Sequence, residues 1–208
     1  MARQGQLANA NSAAYQPDVA HTLNNLAGVY IDTQRMKEAE AAYQEALDIL
    51  RQLAKANPAA YQADVAETLN NLAILFKNNE RMKEAQAAYQ EALEIYRQLA
   101  KADSAAYLPD VALTLNNLTT LYKDTQRTEE AEAAFREALD IRRQLAKTNP
   151  ALYQPGVATT LNNLAILYRY TRREKEAETA YLESLDIRRQ LAKANPATYQ
   201  PDVGPDAE

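Results

Sequence analysis

The sequence predicts an all-α solenoid, one helix–turn–helix unit written four times. Two observations carry that expectation. The stretch Leu23-Asn24-Asn25-Leu26 recurs as Leu69-Asn70-Asn71-Leu72, Leu115-Asn116-Asn117-Leu118 and Leu161-Asn162-Asn163-Leu164, at a constant step of 46 residues. A fixed period of this size marks stacked repeats. Within each step, apolar residues fall on two separate helical stripes divided by a short polar break.

The units are framed as residues 15–60, 61–106, 107–152 and 153–198. Residues 1–14 match the tail of a preceding unit, because Gln6-Leu7-Ala8 copies Gln52-Leu53-Ala54. Residues 199–208 open a fifth unit at Tyr199-Gln200-Pro201-Asp202-Val203, so the chain reads as a stretch of a longer array.

In the first unit, Pro17 suits a first helical turn, and Asp18 beside it favours the positive end of the helix dipole. Pro109, Pro155 and Pro201 repeat this position, with Ala63 in the second unit. Val19, Leu23, Leu26, Ala27 and Tyr30 form one stripe, which predicts a helix A over roughly residues 17–32. The polar break Thr33-Gln34-Arg35 follows. Ala39, Ala42, Tyr43, Ala46, Leu47, Leu50 and Leu53 then mark helix B, which runs to about Ala56. Asn57-Pro58 ends it, since a residue before proline avoids the α region. Small residues such as Ala27, Ala39 and Ala46 let helices approach closely, while the recurring aromatics at Tyr30 and Tyr43 fill the space left. Repetition of the core requires repetition of its aromatics, so the tyrosine ladder is read as packing.

Leu115, Leu118, Tyr122, Ala131, Phe135 and Ala138 stand at the spacing of the tetratricopeptide repeat signature. All four units keep it, with Ser184 for the last alanine in the fourth. The opening Pro-Asp-Val-Ala-x-Thr-Leu-Asn-Asn-Leu-Ala resembles the long-unit version of kinesin light chains and many bacterial regulatory proteins. The resemblance implies a right-handed superhelix whose helices A line a concave, peptide-binding groove. Two departures stand out. Gln34, Glu80, Gln126 and Arg172 replace the family's turn glycine, so the turn must manage without glycine's freedom at positive φ. The unit also exceeds the usual repeat of about 34 residues. The excess is assigned to extra turns of helix B and a longer linker.

Chemistry is sparse. His21 is the sole histidine and reads as a surface residue rather than a metal ligand with Asp18. Cysteine is absent, and four glycines leave no phosphate-cradling loop. The carboxylates of helix B alternate with Lys and Arg, as on a solvated face. Enzyme activity, a cofactor and a bound metal are not expected. A net charge of −5 argues against nucleic acid and anionic membrane as partners, no apolar run reaches a membrane span, and a cytoplasmic location is expected.

The expected function is a non-catalytic scaffold that binds a protein or an extended peptide. With the inward stripe as given, the first asparagines Asn24, Asn70, Asn116 and Asn162 are expected to face the groove, where a carboxamide offers donor and acceptor to a peptide backbone. The second asparagine of each pair is expected to serve packing. Lys77, Lys123, Arg169 and Tyr170 occupy further groove positions, with Arg173 in the adjoining turn. Residues 153–198 carry seven Lys and Arg against five acids, whereas residues 15–60 carry four against six. That polarity favours an acidic ligand near the fourth unit. The alternative is a structural spacer or a self-associating array, because uncapped ends such as Tyr199 and Val203 invite weak homo-association.

Overall fold

The computed structural model of the protein describes residues 15–194. It contains α1 (Gln16–Asp32), α2 (Met36–Ala56), α3 (Pro58–Asn78), α4 (Met82–Ala102), α5 (Ser104–Asp124), α6 (Thr128–Thr148), α7 (Pro150–Tyr170) and α8 (Glu174–Ala194). The described residues contain no strand, and the fold is an all-α repeat solenoid. Two compact units divide at the end of α4. In the first, α2 packs against α1 and α3; in the second, α6 packs against α5 and α7, and α7 against α8. The expected tail of a preceding unit at residues 1–14 and the start of a fifth at 199–208, with Tyr199 and Val203, lie outside the described residues.

The longer linker expected from the 46-residue step does not exist. Helix B does stop at Asn57, whose φ of −141° and ψ of 82° are those of an extended pre-proline residue. The chain then re-enters a helix at once, with Pro58 in the first turn of α3 and Pro150 in that of α7. Proline suits that place because its missing N–H would be unpaired anyway. Asp103 and Asn149 sit at the same junction and cap the next helix: Asp103 Oδ1 accepts from the Ala106 N–H at 3.0 Å, and Asn149 Oδ1 from the Leu152 N–H at 3.2 Å. The extra residues therefore lengthen helix A as well as helix B. Pro109 and Pro155, expected as helix starts, lie inside α5 and α7.

The three-residue turn from helix A to helix B is built the same way four times. Gln34, Glu80, Gln126 and Arg172 adopt φ of 59°, 61°, 58° and 60°, the left-handed region. Around each, two hydrogen bonds close the helix end. The Arg35 N–H donates to Tyr30 O at 2.7 Å and the Gln34 N–H to Ile31 O at 2.9 Å, with equivalents at each later turn. This is the Schellman arrangement. The hydrophobic contact that usually accompanies it is replaced by a stacked cation. The guanidinium of Arg35 lies 4.2 Å from the Tyr30 ring centroid, Arg81 4.3 Å from Phe76, Arg127 4.5 Å from Tyr122 and Arg173 4.3 Å from Tyr168.

Each of these arginines also clasps the first turn of helix B. Arg35 donates to Glu38 at 3.1 Å and Arg127 to Glu130 at 2.9 Å, while Arg81 holds Glu84 and Arg173 holds Glu176. Arg81 reaches a neighbouring helix B as well, at Glu40 at 2.6 Å, and so does Arg173, at Glu132. Arg173, expected in the turn beside the groove, lies over Tyr168 and is paired with Glu132 and Glu176, so it clamps the turn. The hydrogen bond from its arginine is the largest cause that holds Glu84, Glu130 and Glu176 below the ordinary glutamate range. For Glu38 the backbone N–H contributes first and Arg35 second. Carboxylates depressed in the folded state add stability above their unfolded pKa that is lost as pH falls through the folded value. The thermal midpoint should therefore hold from neutral pH to about 5 and decline below it. A variant with all four glutamates changed to Gln should show a flatter acid limb by circular dichroism, and an unchanged slope would remove the clamps as its cause.

Candidate functional site

Helix A is buried on three sides, and what remains outside is one stripe. In α3 the buried residues run Val65, Ala66, Thr68, Leu69, Asn70, Leu72, Ala73, Leu75 and Phe76. Glu67, Ile74 and Asn78 are exposed and Asn71 and Lys77 half-exposed. The same stripe reads Leu113, Asn117, Thr120, Lys123 and Asp124 on α5, and Thr159, Asn163, Ile166, Arg169 and Tyr170 on α7. On α1 it holds His21, Asn25 and Gly28.

In the first two repeats the first asparagine of each pair lies deeper than the second, and in the third and fourth both are half-buried. Asn24 Nδ2 donates to Thr68 Oγ1 at 2.9 Å, across to the next helix A. The Thr68 hydroxyl passes the chain on to Asp64 O at 2.8 Å. Asn70 is buried, and Asn116 and Asn162 are half-buried. Asn24 therefore ties α1 to α3. The threonine position is fully buried at Thr68, Thr114 and Thr160, and its hydroxyl bonds back to the carbonyl four residues earlier. The second asparagine, Asn25, Asn71, Asn117 or Asn163, stands on the outer stripe. Asn70 lies deeper than expected because a helix flanked by neighbours buries far more than the usual arc of about 100°.

Of the other expected residues, Lys123, Arg169 and Tyr170 are exposed on the stripe, and Lys77 is half-exposed there. Tyr170 leads, with 71% of its surface exposed. Between the C-terminal ends of α5 and α7 a cavity of about 270 Å³ is lined by Lys123, Asp124, Gln126, Thr128, Ile166, Leu167 and Tyr170. It brings together a cation, an aromatic ring and an apolar floor. Tyr96 is buried at a helix B position held by Leu50 in the first unit. His21 sits 3.9 Å from Asp64, and the described residues contain no group of three His, Cys, Asp or Glu placed to hold a metal. No described helix is long and apolar enough to cross a membrane.

Sequence reasoning missed Arg142. It stands at the helix B position of Leu50 and Tyr96, and burial pushes its pKa down. The guanidinium donates to Gly156 O at 3.2 Å and to the Thr160 hydroxyl. A Cβ on residue 156 would lie 3.3 Å from Arg142 Cδ, so the glycine makes room for the arginine stem. A signal was present: Gly156 interrupts the run Asp18, Asp64, Asp110 just where Arg142 replaces an apolar residue.

One tetratricopeptide repeat model matches residues 18–98 and again 64–144, and a second matches 157–197. Comparison with curated proteins returns no match. Among solved structures the chain is similar to BtubC (BKLC) from P. vanneervenii, with a TM-score of 0.70 and 28% identity over 92% of this chain and 70% of that one. MamA follows with a TM-score of 0.60 and 15% identity over 85% and 82% of the two chains. A Podosopora anserina kinesin-light-chain-like protein of nearly identical TPR-like repeats gives 0.58 and 18% over 91% and 80%. The last two likenesses concern the fold alone. With those models matching residues 18–144 and 157–197, the chain belongs to the tetratricopeptide repeat family.

Proposed function

We propose that the chain is a non-catalytic scaffold that binds a protein partner through an extended segment laid along the outer stripe of its helices A. The repeat frame proposed for it is 15–60, 61–106, 107–152 and 153–198. The observation that carries the reading is where the repeats differ. Along the stripe, His21 becomes Glu67, Leu113 and Thr159, and Gly28 becomes Ile74, Thr120 and Ile166. The buried residues beside them stay Val, Ala, Thr, Leu and Asn. A frame held constant beneath a changing lining suits recognition. The constant Asn25, Asn71, Asn117 and Asn163 supply a carboxamide at each step, able to donate to and accept from a peptide backbone.

The ligand segment is acidic or aromatic at the α5–α7 cavity. Lys123 supplies charge there, with Arg169 exposed beside Tyr170 on α7, and the exposed ring of Tyr170 with Ile166 supplies an apolar platform. Anisotropy of labelled acidic peptides, measured over a salt series, tests this. Tyr170→Ala and Lys123→Glu should each weaken binding by about tenfold, equal to about 1.4 kcal/mol, and leave the thermal midpoint unchanged. Binding that ignores both variants and the salt concentration would sink the site.

A further inference from the structure

The seam between α5 and α7 departs from the seam between α1 and α3 at one bond. In the earlier seam, Asn24 Nδ2 donates to the Thr68 hydroxyl at 2.9 Å. Two repeats on, the same places hold Asn116 and Thr160. There the Thr160 hydroxyl accepts from Arg142 of α6 instead, while it donates to Gly156 O at 2.9 Å. Among the described residues, the Asn116 carboxamide is left without a hydrogen bond. Its Oδ1 is sealed from solvent, but Nδ2 is not sealed with it, and the residue is half-buried. Two N–H donors therefore stand on the open side of the seam.

The change of donor has a local cause. Leu50, fully buried in α2, gives way to Arg142 in α6, and Asp64 of α3 gives way to Gly156 in α7. The arginine stem uses the room the glycine leaves, since a Cβ there would lie 3.3 Å from Arg142 Cδ. No carboxylate pairs with Arg142 among the described residues, so its N–H groups turn to neutral acceptors, Gly156 O at 3.2 Å and the Thr160 hydroxyl. A charged donor forms the stronger bond and displaces a carboxamide from a shared hydroxyl. Asn116 also stands on the face of α5 that carries Thr120 and Lys123, four and seven residues on. Those seven residues span about 10 Å of helix, which an extended chain covers in about three residues. At that distance Lys123 lines the cavity with Ile166 and Tyr170.

We propose that Arg142 is a positioning residue that releases Asn116 for the partner: the freed carboxamide donates to a backbone carbonyl of an extended segment whose side chain, about three residues away, fills the α5–α7 cavity. This rests on the binding reading above and adds a direction to it, because the segment then follows the α5–α7 seam from the cavity toward the start of the two helices. The α1–α3 seam has no such donor. Asn24 is held there by Thr68, and only Asn25 faces outward. The two seams are thus built from one repeat pattern but differ in function through a helix B residue that touches no ligand.

Exchange of side-chain amide protons with water, read by NMR on the isotope-labelled full chain, tests the release without a ligand. The Asn116 amide should exchange like an exposed carboxamide, and the Asn24 amide about fivefold slower, the protection of one hydrogen bond. Arg142→Leu combined with Gly156→Asp copies the Leu50 and Asp64 of the α1–α3 seam, a packing the chain already folds. In that variant Asn116 should become as protected as Asn24. Anisotropy of a labelled peptide of alternating Glu and Tyr reads the other half. Asn116→Ala and the double variant should each weaken its binding about fivefold. The midpoint of Asn116→Ala should not fall, since its side chain holds no partner in the free chain. Slow exchange at Asn116 in the parent, exchange unchanged by the double variant, or a lowered midpoint for Asn116→Ala overturns the proposal. Binding weakened by Tyr170→Ala yet indifferent to Asn116→Ala overturns it and leaves the binding reading in place. A peptide that the parent fails to bind overturns both.

Discussion

Replacing Ala138 by Leu should cost about 3 kcal/mol or more, while replacing it by Ser should cost less than about 1 kcal/mol. Ala46, Ala92 and Ala138 are fully buried at one recurring place on helix B, and Ser184 occupies that place in α8. Ser184 Oγ donates to Ala158 O of α7 at 2.8 Å. The Cβ at this position therefore rests directly on the backbone of helix A, at an alanine that recurs as Ala20, Ala66 and Ala112. Helix separation follows the size of the side chains at the crossing. A leucine here has no cavity to enter and must drive α6 away from α5, which loosens packing along the whole pair. Serine adds one oxygen, and the partner it needs is the Ala112 carbonyl, one period before the acceptor that Ser184 uses. Urea denaturation of both variants decides the matter. At about 2–4 °C per kcal/mol for a chain of this size, the leucine variant should also melt about 6–12 °C lower. A leucine variant as stable as the parent would mean the helices have slack there.

Period and alanine placement make this contact legible in the sequence. The step of 46 residues, the two stripes, the stop at Asn57 and the turn at residues 33–35 follow from pattern, proline and polarity alone, and each stands in the structure. Helix A's true start is less legible. Pro58 and Pro109 both suit a first turn, and only the geometry of the junction decides that the earlier one starts the helix while the later one lies within it.

The site is partly legible for a related reason. Exposure of Tyr170 follows from its place about 180° round the helix from Leu161. The asparagine pair does not yield to the same arithmetic. Asn24 and Asn25 differ by about 100° on a helix flanked by neighbours, and the choice between them rests on a threonine 44 residues away that accepts from Asn24. Arg173 escapes pattern reading because a turn cation looks the same in sequence whether it faces a ligand or lies over Tyr168 between two carboxylates.

Changing Gln34, Glu80, Gln126 and Arg172 together to Gly should stabilise the chain by about 2–4 kcal/mol. All four residues hold φ near 60°. For a residue with a Cβ that conformation costs about 1–2 kcal/mol, and glycine escapes the cost. Glycine also makes the unfolded chain more flexible, which returns about 0.5–1 kcal/mol per site. The difference remains favourable at each turn. The two backbone hydrogen bonds at each turn use main-chain atoms and survive the change. The stacked arginines, at residues 35, 81, 127 and 173, follow the substituted positions and are untouched. Four turns far apart in sequence share no side-chain partner, so their effects should add. The control is Glu80→Val, where a β-branched residue is forced into the same conformation and should destabilise. Guanidinium denaturation of the fourfold glycine variant, the Val variant and the parent gives the three midpoints. If the glycine variant unfolds at the same or a lower midpoint, the native turn carries no strain that glycine relieves.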